Sequence, residues 1–266
     1  DLSFELGVNA TIVKNEVTKL YGSSKFISGG AQTRTYDGEP ISSFYGWKTD
    51  GIYQNQTEID NDANISLDPR KADITPGDVR FVDTNGDNIV DEQDRVHIGD
   101  ANPSLLLGFH ADLNYKGFDF SAVFSGAFGH ELYDAMMMRG IDPTQSANMD
   151  AVAYQRWTGE GTSNKYPRMS TIRANDNYRV SELGLKSGNY LRMKDVVLGY
   201  TIPKTLTEQI GMSNLKFYIS GRNLLTFTKF DGVDPEESGT SNLTRGVIFN
   251  NYPQSKSVVL GANITF

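Results

Sequence analysis

The residues best placed to do chemistry lie in one acidic run, Asp83-Thr84-Asn85-Gly86-Asp87-Asn88-Ile89-Val90-Asp91-Glu92-Gln93-Asp94. Calcium is a hard cation that takes about six to eight oxygen ligands, and a loop of about twelve residues can supply them from alternate positions and its last residue. Those positions fall here on Asp83, Asn85, Asp87, the Ile89 carbonyl, Asp91 and Asp94. Asn88 stands where such loops usually turn on glycine, and asparagine tolerates the left-handed conformation required there. Asp94 stands in place of the usual glutamate, so two-oxygen contact from this shorter side chain needs a tighter loop. No pair of helical patterns flanks the run, so the expectation is a Ca2+ site that stiffens a loop, not a helix-opening switch. An acidic surface turn that holds no metal would use the same residues.

The other reactive side chains make no comparable group. His97, His110 and His130 are scattered without zinc-ligand spacing. Met136-Met137-Met138 could suggest a soft-metal site, but loop packing or substrate contact is the plainer expectation. Glu236 and Glu237 are neighbours in sequence, so their carboxylates project apart and make no acid–base pair. No glycine-rich phosphate loop and no nucleophile elbow occurs, and the chain is expected not to be an enzyme. The formal charge of −8 argues against nucleic acid as a partner. With no cysteine there is neither a disulfide framework nor a thiolate-bound metal.

The elements that would carry this loop read as strands. Strict period-two alternation puts Leu2, Phe4, Leu6, Val8, Ala10 and Ile12 on one face, opposite Ser3, Glu5, Gly7, Asn9 and Thr11. The same habit recurs over Leu105–Tyr115, Phe118–Phe128, Tyr190–Tyr200, Leu215–Leu225 and Ser257–Phe266. Near Lys194-Asp195 the apolar phase slips, which predicts a β-bulge. Phe44–Tyr53 carries a weaker pattern and is expected to be a further strand. Asn15–Ser43 gives no clear assignment. The mean hydropathy of −0.42 looks soluble, and no apolar run reaches the roughly 18 residues of a membrane helix. A barrel strand alternates lipid-facing and lumen-facing residues, so low mean hydropathy excludes no barrel.

Alternation alone fits a soluble β-sandwich as well as a barrel. The apolar faces are rich in Phe and Leu, while the opposite faces carry Glu, Asp, Lys and Arg, which suits a wet lumen. Connections fall into two sets: the tight Lys116-Gly117 turn and the compact 202–213 stretch, with a short helix expected after Pro203, against long segments over 54–103, 129–188 and 228–255. Outer-membrane barrels have short periplasmic turns and long extracellular loops. The chain opens on Asp1 with Leu2 already inside a strand pattern, so a piece of a longer protein is expected. About seven strands cannot close the wide barrel that such loops imply.

Several stretches resemble the SusC/RagA family of TonB-dependent transporters from Bacteroidetes. They are Phe44-Tyr45-Gly46-Trp47-Lys48-Thr49-Asp50-Gly51-Ile52-Tyr53, Gly77-Asp78-Val79-Arg80-Phe81 with the acidic run, and Ile98-Gly99-Asp100-Ala101-Asn102-Pro103. Tyr190-Leu191-Arg192-Met193-Lys194, Leu198–Pro203, Gly221–Phe227, Gly232–Glu236 and Tyr252-Pro253 follow in the same order. At the end, Gly261, Ile264 and Phe266 fit the barrel assembly signal, whereas Val259 stands where a polar residue is common. The resemblance implies a 22-stranded barrel with an N-terminal plug, energised by TonB and capped by a SusD-like lipoprotein.

The fold class expected is therefore all-β, an antiparallel transmembrane barrel wall. Residues 1–266 would form the C-terminal part of the barrel, 54–103 would be an extracellular loop bearing the calcium-type motif, and no plug domain is expected within them. The resemblance implies a bacterial outer-membrane importer of oligosaccharides or peptides. Its partners would be a SusD-like lipoprotein, TonB, outer-membrane lipid and the remaining barrel and plug segments. The alternatives are a secreted, calcium-stabilised β-sandwich that binds glycans and a calcium-dependent glycan-degrading enzyme.

Overall fold

The computed structural model describes residues 2–145, 148–172, 175–236, 241–249 and 252–266. Among them one antiparallel sheet of seven strands dominates. Its strands are β1 (Leu2–Ile12), β2 (Leu105–Tyr115), β3 (Phe118–Phe128), β4 (Tyr190–Thr201), β5 (Asn214–Arg222), β6 (Thr226–Thr228) and β7 (Ser257–Thr265). The order is β1-β2-β3-β4-β5-β7, and the short β6 pairs with the start of β4, beyond the reach of β5. The lane shared by β5 and β6 is broken at Asn223, whose φ is 52°.

Register turns the alternation of single strands into a property of the whole sheet, because directly opposed residues share a face. One row runs Phe4–Leu113–Phe120–Leu198–Ile219–Leu260 across six strands. The next runs Leu6–Ala111–Ala122–Val196–Gly221–Val258. Nothing among the described residues covers this face: Phe4 is 65%, Leu198 48% and Leu260 78% exposed. A sandwich would bury these rows against a second sheet, so the exposure decides for a lipid-facing wall. The reverse face is polar and laced across strands. Lys216 Nζ reaches Asp119 Oδ2 at 2.7 Å and Arg222 Nε reaches Asp195 Oδ2 at 3.2 Å. Gly199 lies between Lys216 and Asp119, where a Cβ would come within 2.6 Å of both side chains.

The phase slip expected near Lys194 is present as a register shift between Met193 and Asp195. Both residues of the β2–β3 turn have positive φ, 48° at Lys116 and 87° at Gly117, which matches the right-handed twist of the flanking strands. A short helix, Lys204–Thr207, follows Pro203 as expected.

The structure corrects the reading of Phe44–Tyr53, which is no wall strand. It holds two four-residue strands, Ser43–Gly46 and Thr49–Ile52, that belong to separate small sheets. The reason is that its large apolar residues are sequestered: Phe44 is 0%, Trp47 6% and Tyr53 1% exposed. Asn15–Ser43 contains the short strands Phe26–Ser28 and Thr33–Tyr36, which join Ser43–Gly46 and Val96–Gly99 in one sheet. The whole of 13–104 is therefore one connection, and with β5 and β6 counted as the single lane they share, long and short connections alternate from β1 to β7. The three long connections, 13–104, 129–189 and 229–256, emerge at the same end of the wall.

These connections fold on one another. A core that includes Phe44, Trp47, Tyr53, Ile59, Val79, Phe81, Tyr133, Met137, Ile141 and Leu183 draws on the first two. The third adds Phe230 and Ile248, which pack on Leu132. Fully burying side chains of this size stabilises by about 1.5–3 kcal/mol each. The hydrophobic core thus sits in the cap, while the wall keeps its apolar surface outside.

Candidate functional site

The acidic run follows the short strand Val79–Phe81 and ends in a single 3-10 turn, Glu92–Asp94. Asp94 is fully buried and closes the loop upon itself. Its Oδ1 accepts from the Thr84 N–H at 2.8 Å and its Oδ2 from the Asp91 N–H at 2.7 Å, while Asp91 accepts in turn from Gln93 N–H. This is a reciprocal cap on an otherwise unsatisfied turn. Asp83 accepts from the N–H groups of Gly86 and Asn88, both at 2.7 Å. Asn85 accepts from the Asp87 N–H and Asp87 from the Ile89 N–H, each at 2.9 Å. Asn88 does take the left-handed conformation, with φ of 64°.

The loop is also fastened from outside. Trp47 Nε1 donates to the Asp91 carbonyl at 2.8 Å, Leu67 N–H to the Asn88 carbonyl at 3.1 Å, and Val90 N–H to Asp68 at 3.2 Å. Arg70 holds Asp68 and the Val90 carbonyl. Burial pushes the Asp83 carboxyl up, but the N–H groups of Asn88, Gly86 and Asp87 and the neighbouring Asp94 side chain outweigh it and hold its pKa below the ordinary range. Asp83, Asn85, Asp87, Ile89, Asp91 and Asp94 are thus gathered in one turn, with the side-chain oxygens of all but Ile89 facing the loop's own N–H groups. Among the described residues no three acidic or imidazole side chains converge where a metal could sit. A carboxylate oxygen that accepts one hydrogen bond still has a second lone pair.

The remaining singled-out residues disperse. His97 Nδ1 lies 3.1 Å from Glu39, His110 on the polar face of β2 lies 3.8 Å from Glu5, and His130 is buried at the foot of the cap. Met137 and Met138 pack in the cap core and Met136 is exposed. Glu237 lies outside the described residues.

A second group escaped the sequence reading. Arg192, on the polar face of β4 and 3% exposed, is clamped by three partners. Its Nη2 meets Asp234 Oδ1 and its Nη1 meets Glu236 Oε2, both at 2.6 Å, and its Nε donates to Thr226 Oγ1 at 2.9 Å. Lys194, at the bulge, pairs with the other oxygen of Glu236. Asp234 also accepts from the N–H groups of Glu236 and Gln254, at 3.0 and 2.9 Å. Burial pushes the Asp234 carboxyl up, but Arg192 and these two N–H groups more than offset that and hold it below the ordinary range. The group staples the 229–256 connection to the wall. Both halves stand among the resemblance motifs, Arg192 and Lys194 in one and Asp234 and Glu236 in another, but nothing local pairs them. The halves lie about forty positions apart, where spacing says nothing.

An antiparallel sheet with an uncovered apolar face, a polar reverse face and its long connections gathered at one end is the wall of a transmembrane β-barrel. No protein-family model matches the chain. Curated relatives do. TonB-dependent receptor P3 of Formosa agariphila is 30% identical over 280 residues, covering 100% of this chain and 27% of the relative. TonB-dependent receptor SusC of Bacteroides thetaiotaomicron is 23% identical over 273 residues, covering 100% of this chain and 25% of the relative. The solved structure of the RagAB peptide transporter superposes with a TM-score of 0.77 at 22% identity, over 100% of this chain and 27% of that one. The chain is therefore similar along its whole length to TonB-dependent receptors, SusC among them, and spans about a quarter of the length of the curated relatives it matches.

Proposed function

We propose that this chain forms the C-terminal part of the barrel of an outer-membrane, TonB-dependent importer of oligosaccharides or peptides. The observation that carries the reading is the apolar face, continuous in register over six strands and opposite a charged face. TonB-dependent receptors matched over the whole chain support it. Among the described residues β1 and β7 each pair on one side alone, which suits continuation into remaining wall segments around a plug. The cap, including 54–103, then lies outside the cell, where a SusD-like lipoprotein would cover it. Lipid contacts the apolar rows.

The test is uptake by the full-length transporter. Deleting its gene is expected to abolish TonB-dependent growth on one oligosaccharide or peptide mixture, and re-expression to restore it. Recovery of the full-length protein as a detergent-free, water-soluble monomer would overturn the membrane reading in favour of the sandwich.

In the same reading the 83–94 loop takes calcium and holds the cap rigid. Support comes from the spacing of the six oxygen donors, from Asn88 in the left-handed conformation and from the proximity of Asp83 and Asp94. Calcium titrated into the intact transporter is expected to bind with a dissociation constant of about 10⁻⁴–10⁻³ M, the range of extracellular modules. Changing Asp83 and Asp87 together to Ala should remove the binding heat. Unchanged heat in that double variant would retire the site.

A further inference from the structure

A cavity of about 200 Å³ opens where the polar face of the wall meets the cap. Leu106 of β2 and Ala127 of β3 form its wall side and Leu132 closes its cap side, so most of the lining is aliphatic. Four polar side chains reach it: His130, Tyr190, Glu236 and Arg245. They are not equivalent. Both oxygens of Glu236 are already engaged, one by Arg192 and one by Lys194, so this carboxylate has little left to offer a cationic guest. Arg245 has no such partner. Its Nη1 donates to the neutral Asn102 Oδ1 at 3.2 Å, and no carboxylate pairs with it among the described residues. His130 is 7% exposed, and its Nδ1 has no hydrogen-bond partner among the described residues. Burial pushes its pKa down, with Asp100 opposing, so the imidazole is neutral at pH 7 and adds no second cation.

A guanidinium with no carboxylate paired to it among the described residues, at the edge of an aliphatic hollow, selects an anion with an apolar arm. Arginine's planar fork matches a carboxylate with two parallel hydrogen bonds. The volume is below that of a drug-sized pocket, roughly 300–1,000 Å³, and suits one residue-sized group. A sugar acid would bring a ring of hydroxyls with few side chains beyond Tyr190 and His130 to meet them, since Leu106, Ala127, Leu132, Pro103 and Pro235 hydrogen-bond none, and each buried unpaired hydroxyl is costly. We infer that this cavity is a subsite for the C-terminal carboxylate and aliphatic last side chain of a short peptide, with Arg245 as the carboxylate ligand. The inference rests on the importer reading and narrows it to one substrate class.

The test uses the purified full-length transporter and calorimetric titration of the tripeptide Ala-Ala-Leu, its C-terminal amide, and galacturonate. The free acid is expected to bind about tenfold or more tighter than the amide, the effect of one charge-assisted contact. Arg245→Gln should erase that preference, and Arg245→Lys should keep part of it. Leu106→Trp, a change at a half-exposed strand position that fills the hollow, should weaken acid and amide alike. Equal binding of acid and amide, a preference that survives Arg245→Gln, or galacturonate binding as tightly as the free acid would each overturn the subsite. If uptake proves independent of TonB while the acid preference still follows Arg245, the importer reading falls and the subsite stands. The reverse pattern removes the subsite alone.

Discussion

Replacing Arg192 with Ala in the full-length protein is expected to cost about 3–5 kcal/mol, the usual penalty for removing one partner of a buried ion pair. The loss exceeds the contact energy itself because Asp234, 3% exposed, would stay buried with its charge uncompensated. Glu236 is less sheltered and keeps Lys194, so the damage should centre on Asp234. The connection 229–256 would then keep the packing of Phe230 and Ile248 on Leu132 of the neighbouring connection but lose its clamp on the wall. Limited proteolysis should show new cleavage in that stretch, and urea unfolding in detergent should show the lowered stability. Adding Asp234→Asn to Arg192→Ala should recover part of the loss, since it removes the stranded charge. A double variant no more stable than the single one would show that Asp234 was not the source. The same clamp has a pH signature. Because the folded-state pKa of Asp234 is depressed, its contribution is complete above the ordinary carboxylate range and fades as pH falls through its lowered value.

The second large effect concerns the outer face. Phe124 stands mid-strand in β3, its ring stacked on Phe109 at 4.3 Å between centroids, in the row Val8–Phe109–Phe124–Met193. Phe124→Arg would place a guanidinium in hydrocarbon near the bilayer centre, at about 2–4 kcal/mol for a barrel strand. Ser121, three residues earlier, faces the other side between Asp112 and Val197. Ser121→Arg adds the same charge to the watery face and gains a nearby carboxylate. Expressed in the full-length protein, Phe124→Arg should sharply lower the folded, heat-modifiable fraction in the outer membrane, and Ser121→Arg should leave it close to the parent. Equal behaviour of the two variants would contradict the assignment of the faces, and with it the membrane wall.

Both expectations rest on a division visible in particular residues. Period-two alternation is local, so β1, β2, β3 and β7 could be read directly from the chain. So could the bulge at Lys194, where the apolar phase slips. Phe44–Tyr53 was misread because spaced aromatic residues say that a surface will be covered, not by what. Here the cover is the cap core, supplied from as far away as Leu183. The acidic run shows a similar limit. Spacing groups Asp83, Asn85, Asp87, Ile89, Asp91 and Asp94 in one loop, but the direction of each carboxylate follows from backbone dihedrals, such as the 3-10 turn that makes Asp94 a cap.

The sequence by itself determined the strand faces, the tight Lys116-Gly117 turn and the resemblance to TonB-dependent transporters, since these need only neighbours one or a few residues apart. Only the tertiary structure decided that 13–104 is a single connection, that the long connections share a core, and that Arg192 meets Asp234 and Glu236. It alone placed Arg245, with no carboxylate paired to it among the described residues, beside the cavity. Contacts between residues tens to hundreds of positions apart leave no local period to read, and only chain closure brings them together.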